Sequence, residues 1–417
     1  MNNSRDYIAV IGGGPAGLAA ALSAVNAGCN RILLIERDRE LGGILNQCVH
    51  DGFGTLGLGR SLTGPEYAAH YIDEVIKKPE IEIVSNTAVL SLKKNRRIIA
   101  VNQSGLLDIK PSAVILAMGC RERSRFQTVI PGFRPAGIFT AGTVQRLINI
   151  EGMLPGEKVV VLGSGDIGMI MARRLTLEGA EVRGVFEIAP RPGGLTRNIV
   201  QCLYDYNIPL HLSHTVTFIH GKKRIEGVTI APVDQNLNPL SDKEFDVECD
   251  TLVLSVGLIP ENELSREAGV ELDPLTGGPF VDQHMATSVP GIYAGGNVVH
   301  VYDLVDYVTG SADKAGLGAA DYIKKKLKKG SARLLPGFNV AHVIPQYLSL
   351  PLEQTLEIFL RVKEPAENVK IRLSCREQFI FEKKERIVRP SEMIKVKIPL
   401  DFINSIQRND QITVSVE

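Results

Sequence analysis

No CxxC pair and no metal-type spacing occurs among the six cysteines, Cys29, Cys48, Cys120, Cys202, Cys249 and Cys375. That scatter argues against a disulfide framework and fits a reducing compartment. Excess charge is missing too. Lysine plus arginine and aspartate plus glutamate number 47 each, so no long-range field would gather nucleic acid or an acidic membrane surface. Nor is there a long apolar run at the start of the chain, where Tyr7 to Ile11 is the first apolar stretch. A secretory signal needs a longer one, and a membrane span needs about 20 such residues. A cytoplasmic protein with no membrane span is expected.

What is present is ordinary globular material: 417 residues, 44% hydrophobic and 23% charged, enough for two or three domains with buried cores. Tyr7 to Ile11 reads as a buried parallel strand, followed by Gly12-Gly13-Gly14-Pro15-Ala16-Gly17 and an Ala/Leu-rich helix to about Ala27. A second apolar strand, Arg31 to Ile35, ends in Glu36, 19 residues past Gly17. The construction then recurs. Lys158 to Leu162 form a strand, Gly163-Ser164-Gly165-Asp166-Ile167-Gly168 follow, a helix runs to about Glu178, and a strand ends at Glu187, again 19 residues past the last glycine.

One GxGxxG is weak, because glycines also gather in ordinary turns. Two copies between strand and helix, each with an acid at the same offset, are specific. The first glycine makes the tight turn, the second lets a pyrophosphate approach the backbone, and the third lets helix and strand pack closely. The free N–H groups and positive dipole end of the helix hold phosphate charge, and the acid accepts from a ribose diol. The competing account, two glycine turns without nucleotides, leaves the repeated acid unexplained.

Further strands end in small residues: Ala113 to Met118 before Gly119, Thr251 to Val256 before Gly257, and Gly291 to Ala294 before Gly295-Gly296-Asn297. A helix suited to Tyr307–Lys329 follows, closing on Lys324, Lys325, Lys326, Lys328 and Lys329, where cations favour a helix C-terminus. From about Ser331 the pattern changes to period two. Four alternating stretches around Leu356–Val362, Val369–Cys375, Ile394–Leu400 and Ile412–Val416 predict a small antiparallel β-domain of sandwich type.

These residues resemble the pyridine nucleotide–disulfide reductase superfamily in the compact layout of thioredoxin reductase, over about residues 6–330. The resemblance implies an α/β fold of two Rossmann-like domains: FAD-binding residues 1–120 and 261–330, an inserted NAD(P) domain at 121–260, and the β-domain at 331–417. It implies that Gly12, Gly14, Pro15, Ala16, Gly17, Glu36 and Arg37 hold FAD, that Gly42-Gly43 starts the segment passing the flavin ring, and that Ala88 or Val89 meets the adenine. Ala117, Gly119, Gly296, Asn297 and Ser311 complete the FAD site, with Asn297 where the family has Asp. Gly163, Gly165, Asp166, Ile167, Gly168, Glu187 and Gly257 hold the nicotinamide dinucleotide. The helix of Thr309-Gly310-Ser311 is expected to point its N-terminus at the flavin. The chain crosses between the domains near Gly119–Arg125 and Gly257–Glu261, which suits rigid-body rotation.

Two departures matter. Where thioredoxin reductase carries its CxxC, this chain has Ala141 and Val144, and the segment after Gly43 has Cys48 alone, so there is no dithiol to pass electrons by exchange. The segment Gly42 to Gly54 resembles the flavoprotein reductases that accompany glycerol-3-phosphate dehydrogenase in bacterial glycerol operons, and more distantly the NADH-oxidising subunits of proline, opine and sarcosine dehydrogenases. The activity implied is NADH:acceptor oxidoreduction, with FAD and NAD(H) preferred over NADP(H), no resident metal, and a protein partner or small carrier as acceptor. Cys48 is either an apolar packer or a flavin-tuning thiol, and His50 either structural or a proton donor. Gly52, Gly54, Gly57, Gly59 and Gly64 suit a closing loop or close packing on the flavin equally well. The β-domain is assigned to docking or self-association, against a stabilising lid. Two other classes stay open: a flavoprotein subunit that binds both nucleotides without turnover, and a flavin monooxygenase, whose usual FxGxxxH element is missing.

Overall fold

The strands that lead into the glycine turns are almost wholly apolar: Ile8–Ile11 reads Ile-Ala-Val-Ile, and Lys158–Leu162 closes on Val-Val-Val-Leu. Such strands need cover on both faces, as an inner strand of a parallel sheet has. A computed structural model, describing residues 6–325, 331–376 and 378–417, provides that arrangement twice. The chain forms two compact units, one from Met1–Cys120 with Pro260–Glu417 and one from Arg121–Ile259.

In the first unit, five parallel strands lie in the order Ile292–Ala294, Ala113–Leu116, Ile8–Ile11, Ile32–Ile35, Ile81–Val84. In the second, the order is Ile138–Thr140, Thr251–Leu254, Lys158–Leu162, Glu181–Glu187, Leu210–Leu212, again all parallel. Each glycine turn therefore leaves the middle of its sheet at the C-terminal edge, where open α/β sheets bind ligands. Each unit also carries a three-stranded antiparallel sheet that the sequence reading does not foresee: Ala88–Leu92, Ile98–Asn102 and Gly105–Ile109 in the first, and His214–His220, Gly227–Pro232 and Phe245–Glu248 in the second.

The first helix, Pro15–Asn26, packs along the long helix Val305–Ile323. Small residues make this possible. A Cβ at Gly316 would stand 2.4 Å from the carbonyl oxygen of Ala20, so the two backbones meet there without side chains between them. The long helix runs two residues earlier and ends six residues sooner than Tyr307–Lys329. Lys324 is its C-cap, and its ammonium donates to the Ala27 carbonyl that ends the neighbouring helix. Lys326, Lys328 and Lys329 lie outside the described residues. No helix among the described residues is long and apolar enough to cross a membrane.

Among the described residues the C-terminal part has eight strands in two sheets, which include the four alternating stretches read from the sequence. One sheet runs Tyr347–Ser349, Ser331–Pro336, Gln411–Val416, Ala366–Cys375, Gln378–Val388; the other runs Val340–Ile344, Leu356–Val362, Ile394–Ile398. The domain is antiparallel as expected, with one parallel pair among the described strands, Ser331–Pro336 with Gln411–Val416. A connection spanning most of the domain separates those two strands, so nothing forces a hairpin. Gln378–Val388 escapes the period-two signal because Glu382-Lys383-Lys384-Glu385-Arg386 fills its centre, a composition that suits an edge strand.

This part has its own core, including Leu334, Leu360, Ile371, Val396 and Val414, but Ile344 and Phe359 belong to the core of the FAD-type sheet. Polar ties reinforce the join. Asp303 pairs with Arg361 and accepts the Met393 N–H at 2.6 Å, while Gln346 accepts the Val281 N–H at 3.1 Å and donates to Asp273 at 2.9 Å. His300 and His342 meet at the same seam, ring centroids 4.6 Å apart, each with Nε2 buried and without a hydrogen bond.

That pair makes the seam acid-labile. Burial and the neighbouring Arg361 push the His342 imidazole down to about 4, and burial with His342 and Arg361 beside it pushes His300 well below its ordinary value. Both are therefore neutral in the fold and take up protons when unfolded. Their stability contribution is whole above about pH 6.5 and declines as the pH falls below that, since the unfolded chain then binds more protons. His342→Gln should reduce the stability lost between about pH 7.5 and 5 by about 1–2 kcal/mol. Urea unfolding of both proteins at the two pH values checks it, and identical losses would contradict the burial of a neutral imidazole here.

Candidate nucleotide sites

At the first turn, Gly12 has φ +106°, and a Cβ there would lie 2.5 Å from the Ala117 carbonyl oxygen. Gly17 is tighter: its Cβ would lie 1.7 Å from the Gly12 carbonyl oxygen. Gly14 is the opposite case. It has an ordinary φ of −76°, and the nearest atom to its would-be Cβ is Gly43 Cα at 3.9 Å. The first and third glycines thus serve packing, and the second faces open space, the cradle that a pyrophosphate would fill. Pro15 opens the helix, where a missing N–H costs nothing. Glu36, 5% exposed, accepts from Gly13 N–H at 2.5 Å through Oε2 and from Asp38 N–H at 2.8 Å through Oε1. A carboxylate has about four lone-pair sites, so acceptor capacity remains for a ribose hydroxyl. These residues fit FAD.

Other expected FAD residues converge on this turn. Gly42 N–H donates to the Gly13 carbonyl at 2.9 Å, and a Cβ on Gly43, whose φ is +56°, would lie 3.1 Å from Gly14 Cα. Thr87 N–H donates to the Glu36 carbonyl at 2.8 Å, which brings the following Ala88 and Val89 to the acid's end of the sheet. Gly296 packs against Ala16, its would-be Cβ 2.7 Å from that of Ala16, and its N–H donates to Ser311 Oγ at 2.8 Å. Ser311 is therefore a clamp on the closing motif. Gly119 has φ +73° and its carbonyl accepts from Glu261 N–H at 3.0 Å. Arg37 sits at the rim, mostly exposed and 4.0 Å from Glu261.

One boundary differs from the expectation. Thr309-Gly310-Ser311 does not form the N-terminus of its helix, which begins at Val305, so these residues occupy its second turn. Leu304 caps the helix with extended backbone and no side-chain bond, leaving no Ser/Thr/Asp/Asn signal at the boundary. The first turn carries Asp306, whose Oδ1 accepts from Gly57 N–H at 2.9 Å and ties down the glycine-rich segment. Asn297 Oδ1 accepts from Tyr302 N–H at 3.1 Å, which leaves its second lone pair for a ligand hydroxyl, and Nδ2 points at Cys120 Sγ, 3.7 Å away. Cys120, which the sequence reading treats as one scattered thiol, stands beside the closing motif.

Cys48 is 8% exposed, ends the short helix Gly43–Gln47, and donates from Sγ to the Ile44 carbonyl at 3.2 Å. Its Cβ and carbonyl crowd Gly64, where an added Cβ would lie 2.7 Å from each. His50 is half-buried, 5.0 Å from the Phe53 ring, with Nδ1 3.2 Å from the Asp51 carbonyl. Below them Tyr67 OH meets Thr309 Oγ1 at 3.0 Å, and burial pushes its phenol far above the ordinary value, so it stays neutral.

The second unit repeats the turn. A Cβ at Gly163, φ +95°, would lie 2.2 Å from the Ser255 carbonyl oxygen, and one at Gly168 would lie 2.5 Å from Ser255 Cβ, while Gly165 meets nothing nearer than Ser255 Oγ at 3.1 Å. Ser255, which the sequence reading leaves unmarked inside a strand, plays the part of Ala117 and also accepts the Gly168 N–H at 3.1 Å. Glu187 Oε2 accepts from Ser164 N–H at 2.9 Å and Oε1 from Ala189 N–H at 2.9 Å, the same pair of bonds that Glu36 makes. Asp166 turns away from the open cradle and accepts from Leu195 N–H at 2.8 Å and Asn198 Nδ2 at 2.6 Å. Ile167 is half-buried against the unit's core, and Gly257, φ +100°, accepts from Arg123 N–H at 3.0 Å.

With both turns described, comparison with known proteins decides the family. The pyridine nucleotide-disulphide oxidoreductase model matches residues 6–316. The chain belongs to that family. Among its relatives, hydrogen cyanide synthase subunit HcnB of Pseudomonas protegens is 28% identical over 63% of this chain and 58% of that protein. NADH oxidase of Methanocaldococcus jannaschii is 28% identical over 60% and 54%, and NADH dehydrogenase of Bacillus subtilis is 29% identical over 76% and 58%. The chain thus spans 54–58% of the length of these relatives. A thioredoxin reductase structure from T. acidophilum superposes with a TM-score of 0.63 at 25% identity, covering 78% of this chain and 100% of that one.

Two expectations follow from the geometry. Gly14→Val should fold but purify without FAD, because the side chain fills open space where the phosphate must come, whereas Gly17→Ala should fail to fold, since its Cβ would overlap the Gly12 carbonyl. Flavin absorbance and circular dichroism separate the cases, and yellow Gly14→Val protein would exclude this cradle. Cys48→Ser should keep the rate of flavin reduction by NADH within about tenfold, roughly 1.4 kcal/mol in the barrier. Stopped-flow bleaching reads it, and a loss of several orders of magnitude with FAD still bound would make Cys48 a participant.

Proposed function

We propose that the chain is an NADH:acceptor oxidoreductase that moves a hydride between NAD(H) and FAD and trades electrons with a partner dehydrogenase. The observation that carries this reading is the duplicated turn: in each unit an acid at the end of the second strand receives an N–H from the glycine turn and another from two residues beyond itself. Bound FAD supplies the hydride acceptor, and the protein supplies orientation and electrostatics. Gly12, Gly14, Gly17, Glu36 and Gly43 would hold it, with Gly296 fixed by Ser311. Gly163, Gly165, Gly168 and Glu187 would hold the nicotinamide dinucleotide.

Glu187 favours NADH, because a carboxylate accepts from a ribose 2′-OH and repels a 2′-phosphate. Without a CxxC, electrons leave by direct contact with a partner or through a small carrier. The resemblance of the segment Gly42 to Gly54 supports glycerol-3-phosphate dehydrogenase as that partner, and residues 331–417, which the nucleotide motifs do not require, are read as its docking surface. We read the enzyme as cytoplasmic from its scattered cysteines.

Anaerobic titration tests the reading. NADH should bleach the flavin to completion near one equivalent, faster than NADPH at equal concentration, and purified glycerol-3-phosphate dehydrogenase should exchange electrons with the reduced protein. Tight NADH binding without bleaching would make the chain a binding component without turnover, and faster bleaching by NADPH would overturn the preference.

A further inference from the structure

The two glycine turns differ at each of the three positions that the nucleotide motif leaves undefined, and the first of these is Gly13 in one turn and Ser164 in the other. The first has no room for more, since a Cβ on Gly13 would lie 2.6 Å from Leu41 Cδ2 and 3.0 Å from Glu36 Oε2. In the second the side chain is present, fully buried and bonded twice. Ser164 Oγ donates to Glu187 Oε2 at 2.7 Å and accepts from Gly193 N–H at 2.8 Å. One hydroxyl thus joins the ribose acid to the loop that follows it.

The same loop is fastened two residues later, where Leu195 N–H and Asn198 Nδ2 both bond Asp166 Oδ1. Gly194 lets it lie this close, because a Cβ there would stand 2.7 Å from that oxygen. Two side chains of the turn, Ser164 and Asp166, therefore pin residues 193–198 onto the dinucleotide cradle.

We propose that Ser164 is a positioning residue that sets the preference for NAD(H) over NADP(H), acting through Glu187; this rests on the reading of the second turn as the nicotinamide dinucleotide site. With Ser164 N–H and Oγ–H both on Oε2 and Ala189 N–H on Oε1, three of the acid's roughly four acceptor positions are taken by the protein. The carboxylate cannot rotate without breaking one of them. The remaining position, on Oε1, is left for a ribose hydroxyl, and a 2′-phosphate meets a negative charge that cannot swing aside. Removing the hydroxyl frees Oε2 from its charge-assisted bond, releases the Gly193 N–H, and lets acid and loop move apart under a phosphate.

The test uses the FAD-loaded protein and the oxidised nucleotides, so that affinity is read without turnover. Titration calorimetry gives Kd for NAD⁺ and NADP⁺ with the parent, Ser164→Ala, Ser164→Gly, Glu187→Ala and the Ser164→Ala/Glu187→Ala double variant. Ser164→Ala and Ser164→Gly should each lower the ratio Kd(NADP⁺)/Kd(NAD⁺) about tenfold, which is 1.4 kcal/mol. In the Glu187→Ala background, Ser164→Ala should change the ratio by less than about twofold, since the hydroxyl has lost the group it positions. Equal ratios in parent and Ser164 variants, or an undiminished serine effect without Glu187, would overturn the proposal. A parent that binds neither nucleotide would instead overturn the reading of the site itself.

Discussion

The tightest constraint in the first unit is the crossing of the turn's third glycine over the carbonyl of its first, and the second unit repeats that crossing with more room. Gly17 has no space for even one carbon above the Gly12 oxygen, and Gly168 is held between Gly163 and Ser255. Because the helix can come this close, its N-terminus opens directly above the C-terminal edge of the sheet. There its free N–H groups face the gap that Gly14 and Gly165 leave open. The acid follows from the same geometry. The neighbouring parallel strand ends level with the turn, so the carboxylates of Glu36 and Glu187 reach the backbone N–H of the turn's second residue. Moving the helix outward by one methyl group would separate acid, turn and dipole together.

This explains what the sequence makes legible. Glycine spacing, the preceding apolar strand and the acid's offset are local facts with a local cause, and they describe both turns and their place in the sheets. Contacts that depend on tertiary approach are not written in any spacing. Ser255 looks like one residue of a strand until Gly163 and Gly168 are seen resting on it. Cys120 looks like a scattered thiol until Asn297 turns toward it. The start of the long helix is obscured because Leu304 offers no capping side chain, and the strand Gln378–Val388 because its charges suit an edge. In each case the missing signal is the one that the usual pattern depends on.

The C-terminal sheets raise a different question: whether a domain added after the nucleotide motifs is mechanically separate from them. Its inner sheet sends Ile344 and Phe359 into the core beneath the first nucleotide sheet. Arg361 and the Met393 N–H hold Asp303, and His342 lies against His300. Those two anchors follow Asn297 within six residues, so the loop that closes the FAD-type site and the loop that seats the β-domain are one loop. The half-buried Asp303–Arg361 pair is backed by the Met393 N–H on Asp303 and by the Val301 and Pro390 carbonyls on Arg361, so several bonds hold the seam together. A displacement of residues 331–417 would accordingly reach Gly296 and Asn297 through a short, packed segment. Ser311 ties that motif to the long helix in turn, since its hydroxyl accepts the Gly296 N–H and donates to the Val308 carbonyl.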